Sequence, residues 1–194
     1  MFCIQKIKEV SKMNRKMTNK LLAVMMMVIS ILGCGSFAFA EEGTVRAMAP
    51  WKGQGFVFPV GEDTAYMVAV YSGTMFVEDA KGALHQGSIV CPGTAEGNLK
   101  TMTKTGQGRC VITNEDGDRI YARFSCTGDL EGCRGTFKLD GGTGRFAGIT
   151  GEGEMVSQLQ GRAVSVVAGY DSARQESEGI IVWPKLKYNI PETK

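Results

Sequence analysis

Residues 109–126 read RCVITNEDGDRIYARFSC, and the pairing register of this stretch decides the fold. In its second half Ile120, Ala122, Phe124 and Cys126 share one face of an extended strand, with Arg119, Tyr121, Arg123 and Ser125 opposite, because successive side chains alternate. Placing Cys110 and Ile112 on the apolar face sets Ile112 opposite Ile120 and Cys110 opposite Ala122. That register leaves a three-residue loop, Glu115 to Gly117, with Gly117 in the left-handed conformation after a type I turn. A slip of one residue would set Cys110 against Arg123 and mix the faces. The stretch is an antiparallel hairpin.

The register also restricts the cysteines. Cys126 falls opposite position 106, four residues along the strand from Cys110, a distance of about 13 Å. Bridged cysteines need Cα atoms within about 7 Å, so a Cys110–Cys126 bond is disfavoured. Cys126 and Cys133 flank the six-residue stretch TGDLEG and are expected to lie opposite each other as one bridge; Cys91 and Cys110 form the other. A zinc site is the rival for four cysteines, but there is no C-x-x-C pair and His85 is the only histidine. No metal is expected.

Outward from the hairpin, no helical stripe of useful length appears after Glu41. Short apolar or alternating segments recur between glycine-rich turns: 44–49, 64–71, 74–78, 88–91, 134–139, 152–159, 162–170 and 178–186. This spacing argues for an all-β sandwich or barrel. Glycine supplies 26 of the 194 residues, roughly twice the usual share of about 7%, which suits tight turns and barrel corners.

The most distinctive stretch is GGTGRFAGITG, residues 141–151. It has no Walker lysine and no Gly-x-Gly-x-x-Gly spacing, and it does not open a βαβ unit, so a phosphate cradle is rejected. As structure it is a corner: Gly141 and Gly142 end a strand, Thr143, Gly144 and their neighbours turn, Phe146 drops into the core, and Gly148 and Gly151 lead into the next strand. The pattern Gly-Gly-Thr-Gly-x-Phe-x-Gly-x-x-Gly, between the strand GTFKL and another strand, resembles the allene oxide cyclase and dirigent superfamily over residues 134–160. The hairpin 108–126 resembles bacterial exported relatives of the same barrel. The resemblance implies a calycin-like, closed antiparallel β-barrel of about eight strands with an apolar cavity, and it points to trimers. No catalytic residue of that superfamily finds a match here.

The N-terminus is of another kind. Lys6, Lys8, Lys12, Arg15, Lys16 and Lys20 precede the apolar run LLAVMMMVISIL, residues 21–32, and an A-x-A site ending at Ala40. This is the pattern of a secretory signal peptide. Twelve apolar residues rise about 18 Å as a helix, short of the roughly 30 Å hydrocarbon core, so no stable transmembrane span is expected. Ile31-Leu32-Gly33-Cys34 reads alternatively as a lipobox with Cys34 as the lipidated residue. The predicted location is periplasmic or secreted, with an anchor through Cys34 as the other reading; residues 41–194 form one domain.

Six of the 22 basic residues and one of the 20 acidic ones lie in this leader, leaving 16 against 19. The balance gives no electrostatic case for nucleic acid. A Ser-His-Asp triad would have to use His85, and no Gly-x-Ser-x-Gly elbow exists. Asn114 to Asp118 is rich in oxygens but lacks the spacing and distal glutamate of a calcium loop.

Segments 64–71 and 162–170 are apolar on both faces. One face fills or lines a lumen and the other asks for a cover or a neighbouring subunit, so a homo-oligomer is expected beside the plain reading of a filled core. For a lumenal ligand the polar candidates are Tyr66, Tyr71, Tyr121, Arg123 and Glu152, although a solvated face accounts equally for the Arg119-Tyr121-Arg123 row. Trp51 and Trp183 stand near the two ends of the domain, suited to closing a mouth or to packing. The reading is an exported barrel that binds a small apolar molecule without a cofactor. The rivals are a cyclase or isomerase acting on an apolar intermediate inside the barrel, and an envelope structural protein.

Overall fold

The computed structural model describes residues 40–169 and 171–192. The leader with Cys34, the side chain of Val164 and Tyr170 lie outside the described residues. Eight strands run in chain order: β1 Glu41–Pro59, β2 Thr64–Glu78, β3 Leu84–Asn98, β4 Thr103–Asn114, β5 Arg119–Asp129, β6 Gly132–Gly142, β7 Thr150–Ala168 and β8 Ala173–Ile190. Each pairs antiparallel with the next, and β8 returns to β1, so the sheet closes as a barrel. Closure leaves no free edge. This is the all-β architecture expected from the hairpin and the turn spacing.

The β4–β5 hairpin has the register derived above: Ile112 pairs with Ile120, Cys110 with Ala122 and Gly106 with Cys126. Asn114 N–H donates to the Asp118 carbonyl at 3.0 Å, and Gly117 takes φ +86°. Inside the barrel Cys110, Ile112, Ala122 and Cys126 are buried, while Arg109, Tyr121 and Arg123 face outward.

Ten expected segments become eight strands. Segments 64–71 and 74–78 are one strand running through Gly73, and 152–159 and the described part of the next segment, 162–168, belong to one strand, β7. Residues 51–59, 93–98 and 103–107, taken as connections, are strand. The cause lies in the inward positions, where glycines replace apolar side chains and erase the alternation that marks a strand.

The two ends of the barrel differ. At one end the connection 143–149 folds beneath the lumen as a 3-10 turn over Gly144–Phe146, with Phe146 half-buried and Ile149 fully buried. Thr143 N–H donates to the Arg119 carbonyl at 2.8 Å, and Arg119 N–H donates to Thr143 Oγ1 at 2.9 Å. The motif therefore adds one rung that ties the connection to the start of β5. Ala47, Met75, Ile112, Leu139, Ile149 and Leu186 fill this half. Trp183, Phe137 and Met155 are the largest wholly buried side chains and sit at mid-height.

Candidate functional site

Above that layer the lumen is hollow. A cavity of about 320 Å³ occupies the half of the barrel next to the β1–β2, β3–β4, β5–β6 and β7–β8 turns. That is far more than the roughly 30 Å³ one water takes in the liquid. Trp183, Phe137, Ala49 and Met155 form its floor, Trp51, Met67, Ile89 and Phe124 its walls, and Val57, Leu99, Lys104, Leu130 and Leu159 its mouth.

The hollow follows from the sequence. On β3 the inward positions above Cys91 are Gly93, Ala95 and Gly97; on β4 above Cys110 they are Gly108 and Gly106; on β1 above Trp51 they are Gly53 and Gly55. Side chains that would fill a small barrel are missing from one half of it. Four glycines also receive a ring from the directly paired residue: Gly53 pairs with Tyr71, Gly108 with Phe124, Gly179 with Trp51 and Gly43 with Tyr188. A Cβ at Gly53 would come within 2.7 Å of the Tyr71 ring. Of these rings Tyr71, Phe124 and Trp51 lie along the cavity wall, and the space between them stays open.

Both disulfides are part of that wall. Cys91–Cys110 joins β3 to β4, and Cys126–Cys133 joins β5 to β6. All four cysteines line the cavity. The pairings are those expected, with one correction of geometry. Cys126 and Cys133 do not face each other across a six-residue loop: the ladder continues until Gly128 pairs with Cys133, Cys126 pairs with Gly135, and the bridge runs diagonally with Cα atoms 5.7 Å apart. Gly128 and Gly132 read as loop residues but continue the strands, so only Leu130 and Glu131 turn.

Few polar groups reach the cavity. Of the five candidate contacts Tyr71 alone lines it. Burial pushes the Tyr71 phenol up to about 12 from the ordinary 10.0. Gln175 and Ser177 lie on the adjacent wall. Lys104 stands at the mouth, its Nζ donating to the Leu130 carbonyl at 3.4 Å. Burial pulls its ammonium below the usual range, and the nearby Asp129 works against that shift. Trp183 Nε1 is buried without a hydrogen-bond partner among the described residues, its ring edge-to-face with Phe137 at 5.0 Å.

Tyr66, Tyr121, Arg123 and Glu152 belong to the outer surface. Arg123 lies 3.5 Å from Asp140 and is half exposed; Tyr121 is exposed; Glu152 is exposed on β7. Tyr66 borders a shallow external groove with Thr94, Gln107 and Arg134. The alternation of β5 already put Tyr121 and Arg123 on the face opposite the cysteines, which is the signal that they point away from the lumen. Lys104, absent from the sequence-derived candidates, could have been found by extending the β4 alternation from Cys110 through Gly108 and Gly106. Trp51 lines the cavity wall and Trp183 its floor. His85 is exposed, 3.4 Å from Asp79 Oδ2. Among the described residues no group of three or more His, Cys, Asp or Glu gathers as a metal site, and no helix is long and apolar enough to cross a membrane.

No family model matches the chain, and no curated protein matches it. Among solved structures it is similar to a pterocarpan synthase dirigent protein, at 11% identity over 74% of this chain and 86% of that one, with a TM-score of 0.27. A likeness that low transfers nothing to this chain.

Proposed function

We propose that this is an exported carrier or sequestering protein that binds a small apolar molecule inside the open half of its barrel. The observation that supports it is a roomy cavity with apolar walls, kept hollow by glycines on strands that otherwise have ordinary partners. Ligand sites are concave, mostly apolar and carry few polar groups, and this cavity has that character. Two disulfides are consistent with an oxidising compartment outside the cytoplasm, and the leader of residues 1–40 supplies the route. A carboxylate or arginine facing into the pocket would favour the cyclase or isomerase reading; the polar side chains lining it among the described residues include Tyr71, Gln175, Ser177 and Lys104.

The test is titration with a neutral fluorescent naphthylamine, with Gly97→Leu as the control. A Cβ at Gly97 would meet nothing closer than 3.9 Å, and Gly97 lines the mouth of the cavity, so this is the position at which an added side chain enters the opening. Saturable binding by the natural sequence, lost in Gly97→Leu at an unchanged unfolding midpoint, is the expected result. No saturable binding, or binding indifferent to the plug, would overturn the proposal.

A further inference from the structure

We propose that the cavity selects apolar molecules bearing one anionic group, and that Lys104 holds that group at the mouth. The inference rests on the cavity reading above and adds a class of ligand to it.

Lys104 occupies an inward position of β4, in line with Gly106, Gly108 and Cys110. Its two ladder partners are Gly97 on β3 and Gly128 on β5. Neither has a side chain, so the lysine stem crosses bare backbone and its ammonium comes to the β5–β6 turn. There it has one long hydrogen bond, to the Leu130 carbonyl at 3.4 Å, although an ammonium carries three donors.

Among the described residues no carboxylate comes within 4.0 Å of this nitrogen. The contrast is Lys52 on the outer surface, 2.8 Å from Glu178. Asp129 acts on it only from beyond that distance, and the Asp129 Oδ1 accepts the backbone N–H of Glu131 and of Gly132, both at 2.9 Å. Among the described residues that line the cavity, Lys104 supplies the one ammonium, and no carboxylate or guanidinium joins it.

A partly buried charge without a partner is costly. A ligand that brings an anion to this place supplies the partner while its chain covers the Met67, Ile89 and Phe124 wall. A hydrogen bond between two charged groups is stronger than one in which only the donor is charged, so an acid should bind on the order of tenfold more tightly than the matching alcohol.

The experiment is displacement of the bound naphthylamine by decanol, decanoate and decyl phosphate, with acetate and inorganic phosphate as headgroup controls. Decanoate and decyl phosphate should displace the probe at roughly one tenth of the decanol concentration. Lys104→Met should abolish that preference and Lys104→Arg should keep it. Acetate and phosphate should leave the probe in place. Equal displacement by acid and alcohol, or a preference that survives Lys104→Met, would overturn the inference while the cavity proposal stands. Displacement by acetate or phosphate alone would overturn the apolar part of the ligand class. A protein that binds no probe at all fails the earlier proposal, and this one with it.

Discussion

At the scale of single residues the barrel is shaped by rings that lie over glycines. Tyr71 and Gly53 form a directly opposed pair, and the three atoms nearest a Cβ placed at Gly53 are side-chain atoms, two of the Tyr71 ring and the Ser177 hydroxyl at 3.2 Å. Gly53→Ala should therefore destabilise the protein by about 1–3 kcal/mol, the usual cost of overpacking. Most of that cost should vanish in a Tyr71→Ala background, a coupling that a denaturant double-mutant cycle measures directly. Tyr71 also makes a titration prediction. Its phenol is raised to about 12 because burial disfavours the phenolate. The folded form therefore holds its proton more tightly, and that contribution is complete below the ordinary value of 10.0 and is lost as pH rises through 12. Tyr188 is shifted in the same direction, by burial first and then by Glu41. Ultraviolet titration should show a late tyrosinate step near pH 12 that Tyr71→Phe removes; a spectrum unchanged by that substitution would contradict the burial argument. Tyr71 was legible because it shares a face with Met67 and Ala69. Lys104 was hidden because the inward neighbours that would mark its face are glycines.

At the scale of elements, the β4–β5 hairpin shows what makes a segment readable. Its apolar face, its turn residues and its two cysteines all require one register, and that register is the one found. The stretches 93–98 and 103–107 offered no such agreement, since glycines, Ala95 and Lys104 fill their inward positions. Only the ladder shows that they are strand. The bridges act at this same scale. Cys91–Cys110 spans 19 residues and Cys126–Cys133 spans 7, so loop-closure entropy assigns about 3 kcal/mol to the first and about 2.5 to the second. Paired alanine substitutions should lower unfolding free energy in that order under denaturant, with the β3–β4 pair the more damaging. The reverse order would mean that the β5–β6 bridge acts through the native state. The turn beneath the barrel gives a smaller effect. Thr143→Val removes the acceptor for Arg119 N–H and should cost about 1 kcal/mol, whereas Thr143→Ser should cost much less. Equal losses from the two substitutions would rule out the hydroxyl as the source.

At the scale of the molecule, the barrel has a filled half and a hollow half, and its outer face is divided as well. The all-β class was legible from turn spacing and from one register, which left sandwich and barrel open, and closure was an expectation only from the resemblance carried by residues 141–151. The division into halves was not, since it depends on which positions across several strands carry no side chain. The outer face gives the last prediction. Phe56 pairs with Val68 and Phe58 with Tyr66, and Val70 and Val90 continue the strip across β2 and β3. Phe56 is 50% exposed, and Val68 and Val70 are each 47% exposed. Single exposed apolar residues are ordinary, whereas a larger exposed patch is the kind of surface that a partner covers. A second copy is the proposed cover, and sedimentation velocity should show an oligomer at high micromolar concentration. Replacing Phe56 with Glu and Val68 with Lys places opposite charges on one ladder rung, so the barrel should keep its unfolding midpoint while the oligomer dissociates. A natural sequence that sediments as a monomer throughout would remove the need for a partner copy. It would leave the strip as apolar surface that the barrel carries into water alone.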